Sequence, residues 1–336
     1  MAITSLIGRR NCFDRGSLSK VCFPSSPFPS HLSTRLLHNP WPLHKANTRL
    51  QLTQSASGVP TIGSYTANDG AFYAESDLET DDDVTGTVTK YVVNISKQSL
   101  SKLLELYPED EFTSLPHPGE KATAQYFRAA QINRDLWFTC PVVDFTWQYA
   151  RFDPTTPVRV YEWNQSRFDP IWAELGHPEW RVAHLADLPY FFNEELIGGG
   201  DNTTPDNVAL SKLFAGTIAA FAYSKVGDPT DAPANVQTLR EWPITYSNAK
   251  GSKEEFPSEW DVKVIGGPYG EGAGDYILGT EPRGAVVLAG RRPYPVETLR
   301  KRVEEDKKTG LEAALKWERV LERCKFINGI TEEVGV

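Results

Sequence analysis

The stretch "PVRVYEWNQ" (157–165) constrains the fold more than any other. Val158, Val160 and Glu162 alternate with Arg159, Tyr161 and Trp163, a period of two that belongs to a strand. Its β-branched and aromatic side chains suit a pleated surface. Upstream, "VPTIGSYT" (59–66) reads as a short buried strand closed by a turn at "ANDG". "SLSKLLELYP" (99–108) predicts a short helix with Ser99 as N-cap and Pro108 as its stop. Residues 120–152 predict a long helical stretch broken near Pro141. "NVALSKLFAGTIAAFAYSK" (207–225) predicts an apolar helix. Residues 226–295, rich in Pro and Gly, read as surface loops around one or two weak strands. Residues 295–326 read as a charged amphipathic helix, single or split near Gly310. No internal repeat is present. Helices alternating with strands predict the α/β class.

Charge divides the chain. Residues 1–58 hold seven Lys/Arg against one acid, Asp14, in a protein whose total is −9. The segment 1–57 lacks a long apolar core for secretion and shows no sustained period, so it reads as a disordered or mispredicted leader; its Ser/Arg/Pro composition also fits an organelle transit peptide. The acidic remainder argues against a nucleic-acid partner. No apolar run reaches the ~18 residues of a membrane span. "ESDLETDDD" (75–83) carries six acids in nine residues and reads as a solvated loop, because no Gly follows at calcium-loop spacing. The four cysteines (Cys12, Cys22, Cys140, Cys324) form no C-x-x-C pair and no metal-ligand spacing. No cofactor motif is found. Sequons at Asn94, Asn164 and Asn202 are glycosylation candidates, in a number that chance also produces.

"EWRVAHLADLPYFF" (179–192) sets His184 among apolar and aromatic residues. A histidine in such company is more often a packed residue than a base. His184, however, lies on a loop after a predicted strand, where an imidazole has room to move a proton. Asp69 lies just past the end of the other predicted strand and precedes the histidine in sequence. An acid there has the chemistry to accept the Nδ1 proton and hold the tautomer. Both readings of His184 stand on these residues alone.

"VPTIGSYTANDGAFYA", "NRDLWFTCPVVDF" and "WRVAHLADLPYFF" together resemble three successive blocks of the type-B carboxylesterase family, which includes fungal lipases and cholinesterases. The resemblance covers residues 58–330. It implies a partial α/β-hydrolase fold, the C-terminal half of the sheet with flanking helices. It also implies Asp69 as the acid of a Ser-His-Asp/Glu triad, His184 as its base, and Asp187 as a second acid near the site. Cys140 and Cys324 match positions that relatives join by a disulfide; two free buried thiols are the alternative. A small-molecule or lipid ester becomes the implied substrate, and the secretory pathway the implied compartment. Two positions depart from the family pattern: its usual Glu is Asp69, and its usual Gly after the histidine is Leu185, whose bulk is expected to crowd the pocket.

No nucleophile is found. The G-x-S-x-G pattern that sets a serine on a strained turn does not occur, and no Gly-rich loop precedes Asp69. "IGGGD" (197–201) follows the histidine and reads as a flexible turn. Little esterase activity is therefore expected of the chain alone. Three readings compete: an ester hydrolase seen in part, a non-catalytic carboxylesterase-like interaction module, and a generic α/β domain with a structural histidine.

Overall fold

The computed structural model describes residues 58–113, 115–116, 120–193, 205–239, 242–266 and 319–334, and strands at 11–12, 22–23, 275–279 and 285–288. The chain divides into two units, residues 1–42 and 43–336. In the first, Asn11–Cys12 pairs antiparallel with Cys22–Phe23. The rest of the expected leader, the "IGGGD" turn and most of the expected helix 295–326 lie outside the described residues.

The second unit is built on a five-stranded sheet. Strands β1 (Thr61–Thr66), β2 (Val158–Asn164) and β3 (Asp261–Gly266) run parallel. β4 (Asp275–Gly279) and β5 (Ala285–Leu288) extend it antiparallel, in the order β1-β2-β3-β4-β5. The expectation of one or two weak strands after residue 226 therefore falls short by at least one.

β2 explains the layering. A central parallel strand is covered on both faces, and its period of two sends each residue set to a different core. Val158 and Val160 join a cluster with Trp147, Ile132 and Tyr126. Tyr161 and Trp163 join another with Tyr190 and Phe214. The polar Arg159 is accommodated through backbone carbonyls, donating to Gly227 O at 2.6 Å and Trp242 O at 3.1 Å.

Helices that serve the first core include α1 (Asp81–Tyr91), α2 (Lys97–Leu106), α3 (Ala124–Arg134) and α4 (Cys140–Phe152). α1 takes up the last three residues of the expected acidic loop. Thr80 and Asp83 form a reciprocal capping box, and Asp81, Asp82 and Asp83 occupy the first turn, where the helix dipole favours negative charge. In α2 the cap is Ser96, whose Oγ accepts from the Ser99 N–H at 3.1 Å. Ser99 is therefore three residues inside the cap and not the cap itself. Between β2 and His184 the chain forms α5 (Asp169–Glu174). On the second face lie α6 (Leu188–Phe191) and α7 (Pro205–Tyr223), the latter as expected.

Pro141 does not break the long helical stretch. It sits in the first turn of α4, where its missing N–H costs little. The helix instead widens just before it, in a π turn at Asp135–Thr139, where the Cys140 N–H donates to Asp135 O. Widening relieves the clash between the proline ring and the carbonyl four residues back.

Cys140 and Cys324 are joined by a disulfide, as the resemblance implied, across a sequence separation of 184. It ties α4 to α8 (Val320–Gly329), and α9 (Thr331–Val334) continues from it. Glu333 accepts from the Ser96 N–H at 2.8 Å and the Ser99 hydroxyl at 3.0 Å, so the C-terminal segment also clasps the start of α2. In the chain-entropy description, closing so long a loop contributes about 5 kcal/mol, comparable to the whole stability of many domains. A Cys140→Ser, Cys324→Ser double variant is expected to lose stability of that order, read as a fall in the urea midpoint. Non-reducing mass mapping is expected to recover the two cysteines in one linked peptide pair.

Candidate active site

β1 ends at Thr66 and its direction continues through a short bridge, Asn68 paired parallel with Ala183. This bridge brings the two candidate residues together. The Asn68 N–H donates to Val182 O at 3.0 Å. The Asn68 amide donates to Trp180 O at 3.1 Å and Glu179 O at 3.3 Å. Thr66 Oγ1 also donates to Val182 O, at 3.1 Å. The backbone leading into His184 is thus fastened to the backbone leading into Asp69.

Asp69 is only 2% exposed. Its two oxygens divide the work. Oδ2 accepts from the Thr66 N–H at 2.6 Å, and Oδ1 lies 2.8 Å from His184 Nδ1. The first contact fixes the carboxylate plane; the second fixes the imidazole. His184 keeps 34% of its side chain exposed. Among the described residues its single hydrogen bond is the one to Asp69, so Nε2 is the nitrogen free to exchange a proton. The hydrogen bond to Asp69 raises the His184 pKa above its ordinary value, against the opposing effect of burial. The charges of Asp69 and Asp187 add to the rise.

Asp187, the second acid, accepts from the Tyr161 hydroxyl at 2.8 Å. Burial raises its pKa, and the nearby Asp69 charge acts in the same direction. Phe138, from the π turn, lies against the imidazole with ring centroids 4.6 Å apart. Asn68, Tyr161 and Phe138 were not singled out from sequence; for Asn68 the signal was present in "NDG", read there only as a turn.

Two backbone features explain residue choices. A Cβ on Gly70 would stand 1.9 Å from Ala130 O and 2.5 Å from Arg134 N, so the turn after Asp69 packs against α3 too closely for any side chain. Leu185 has a φ of +69°, the left-handed region that favours glycine. The family's usual Gly therefore answers a backbone demand. The expected crowding by Leu185 is not found: the side chain is 48% exposed, and the cost falls on the main chain.

Asn94 is exposed between α1 and α2, and Asn164 is half-buried at the end of β2. Asn202 lies outside the described residues.

Leu185→Gly is expected to stabilise the protein by about 1 kcal/mol, the relief of a left-handed leucine less the added entropy of glycine. Leu185→Ala is expected to give no gain; urea midpoints read both. A raised histidine pKa contributes stability fully present below the unfolded value of about 6.5, and lost as pH rises through the higher folded value. His184→Gln is expected to remove that part of the pH dependence, measured as urea midpoints from acid to mildly alkaline pH.

Comparison with known proteins bears on the family and the fold. The model of the carboxylesterase family matches residues 27–256, beginning inside the stretch expected to be leader. The inactive carboxylesterase-like protein VdtD of Byssochlamys spectabilis is 26% identical over 227 residues, covering 67% of this chain and 38% of that protein. Secreted lipase 4 of Gibberella zeae is 24% identical over 209 residues, covering 61% of this chain and 34% of the lipase. The crystal structure of Aspergillus niger EstA superposes with a TM-score of 0.52 at 17% identity, covering 83% of this chain and 41% of EstA. The chain thus spans roughly two fifths or less of each of these proteins, and its fold is a partial α/β-hydrolase. The match over residues 27–256 places the chain in the carboxylesterase family.

Proposed function

We propose that the chain carries the acid–base part of a carboxylic ester hydrolase site, with His184 as base and Asp69 as its orienting acid. The observation that supports this most is the divided carboxylate. One oxygen of Asp69 is held by the Thr66 N–H and the other by His184 Nδ1, while the imidazole stays partly open. In this reading Nε2 takes the proton from an attacking hydroxyl and returns it to the leaving alcohol. Asp69 holds the tautomer and stabilises the imidazolium. The substrate class is a small-molecule or lipid ester. The attacking serine is not supplied by any G-x-S-x-G in this sequence.

That same lack favours a second reading, a non-catalytic carboxylesterase-like module, and one relative is itself named an inactive carboxylesterase-like protein. Release of p-nitrophenol from a p-nitrophenyl ester, with a small alcohol added to attack the carbonyl and carry away the acyl group, separates the two. The hydrolase reading expects a modest rate that falls to the buffer rate in both His184→Ala and Asp69→Ala. Equal rates in all three proteins leave the non-catalytic reading.

A secretory route fits the disulfide, and a relative is named a secreted lipase. Of the described sequons, Asn94 is the exposed one and the site proposed for a glycan. Expression through a eukaryotic secretory pathway is expected to give a glycosidase-sensitive mass that Asn94→Gln abolishes.

A further inference from the structure

The imidazole of His184 has two described neighbours that fix it: Asp69 on Nδ1 and Phe138 on its ring. The first holds a point and the second limits rotation about that point. Phe138 belongs to the π turn Asp135–Thr139. A π turn inserts one residue into a helix, and one residue is about 100° of rotation. The direction in which Phe138 leaves the helix is therefore set by the irregularity, relative to α4 beyond it.

The turn is braced at both ends. At its start, Asp135 is fully buried; its Oδ2 accepts from the Tyr107 hydroxyl at 2.7 Å and its Oδ1 from Arg134 Nε at 2.9 Å. At its finish, Cys140 is fastened to α8 by the disulfide, and Cys140 O accepts from the Asn328 amide at 3.3 Å. On its far side the Phe138 ring meets Tyr73, with centroids 5.9 Å apart. Tyr73 lies on the short helical turn that follows Asp69 and Gly70. One braced element thus touches the histidine directly and the acid's own segment through Tyr73.

We propose that Phe138 is a positioning residue for His184, held by the π turn so that its ring keeps the Nδ1–Asp69 hydrogen bond closed and Nε2 turned outward. The proposal rests on the His184–Asp69 pairing argued above. It adds a specific cause for the imidazole's orientation, which a ring with a merely space-filling role would not supply.

The test is proton NMR on the full chain, following the His184 Nδ1 proton, which a carboxylate partner shifts to low field. Wild type is expected to show this resonance. In Phe138→Ala the proton is expected to exchange faster by roughly tenfold, the upper end of what an aromatic pair contributes, with broadening or loss of the signal. Phe138→Leu keeps most of the volume, and so the fold, while removing the flat ring; it is expected to give the same signature. Phe138→Tyr is expected to restore the wild-type resonance. A Nδ1 proton equally protected in wild type and Phe138→Leu overturns the proposal while leaving the pairing intact. A wild-type protein with no low-field resonance overturns the pairing itself, and the proposal with it.

Discussion

The site depends on burying one carboxylate at the end of a strand. Asp69 sits where water cannot reach it, and an ionised carboxylate in such a place must find donors. It finds one from its own turn, the Thr66 N–H, and one from a segment more than a hundred residues away, His184. The demand for donors is what makes the histidine's position non-negotiable. The packing of Gly70 against α3 enforces the same point from the opposite side. The turn cannot relax outward into solvent without opening a void at Ala130 and Arg134, nor move inward without a clash.

The scaffold around this pair is organised by β2. Its two residue sets feed two separate cores, and its edges set the register of β1 on one side and β3 on the other. The Ala67 N–H donates to Trp163 O at 2.9 Å, so the acid's turn is still registered to β2 after β1 has formally ended. The Tyr161 hydroxyl reaches Asp187 from the same strand. The Asp69 turn and Asp187 are thus both indexed to β2, while the His184 segment is fastened to the extension of β1; a sheet rim gathers residues distant in sequence in this way.

Much of this was legible in the residues, and the gaps have identifiable causes. The strands at 61–66 and 158–164 and the helix at 205–223 declare themselves by period and composition. The pairing of Asp69 with His184 was implied by the resemblance of the blocks that carry them, since the residues alone left His184 open to a packing role. α1 was hidden because "DDDVTGTVTKY" contains a glycine and five β-branched residues, all poor helix formers. Its stability comes from the capping box and from the burial of Val84 and Val88, which propensity does not report. The π turn was illegible because its signal, a proline, is shared with ordinary helix starts. The role of position 185 was misjudged because bulk was weighed and backbone sign was not.

The segment carrying His184 is held against its own preferences. Arg181, three residues before the histidine, has a φ of +46°, and Leu185, directly after it, has +69°. Each left-handed non-glycine residue costs on the order of 1–3 kcal/mol and persists only where its surroundings over-determine it. The surroundings here are explicit. Asn68 pins the carbonyls of Glu179 and Trp180, Thr66 and the Asn68 backbone pin Val182, and the Trp172 indole N–H donates to Arg181 O at 3.1 Å. A structural histidine would need none of this, since a relaxed loop packs an imidazole equally well. The strain makes sense if the position of His184 relative to Asp69 is the quantity being held, and the hydrogen bonds along the extension of β1 are what hold it.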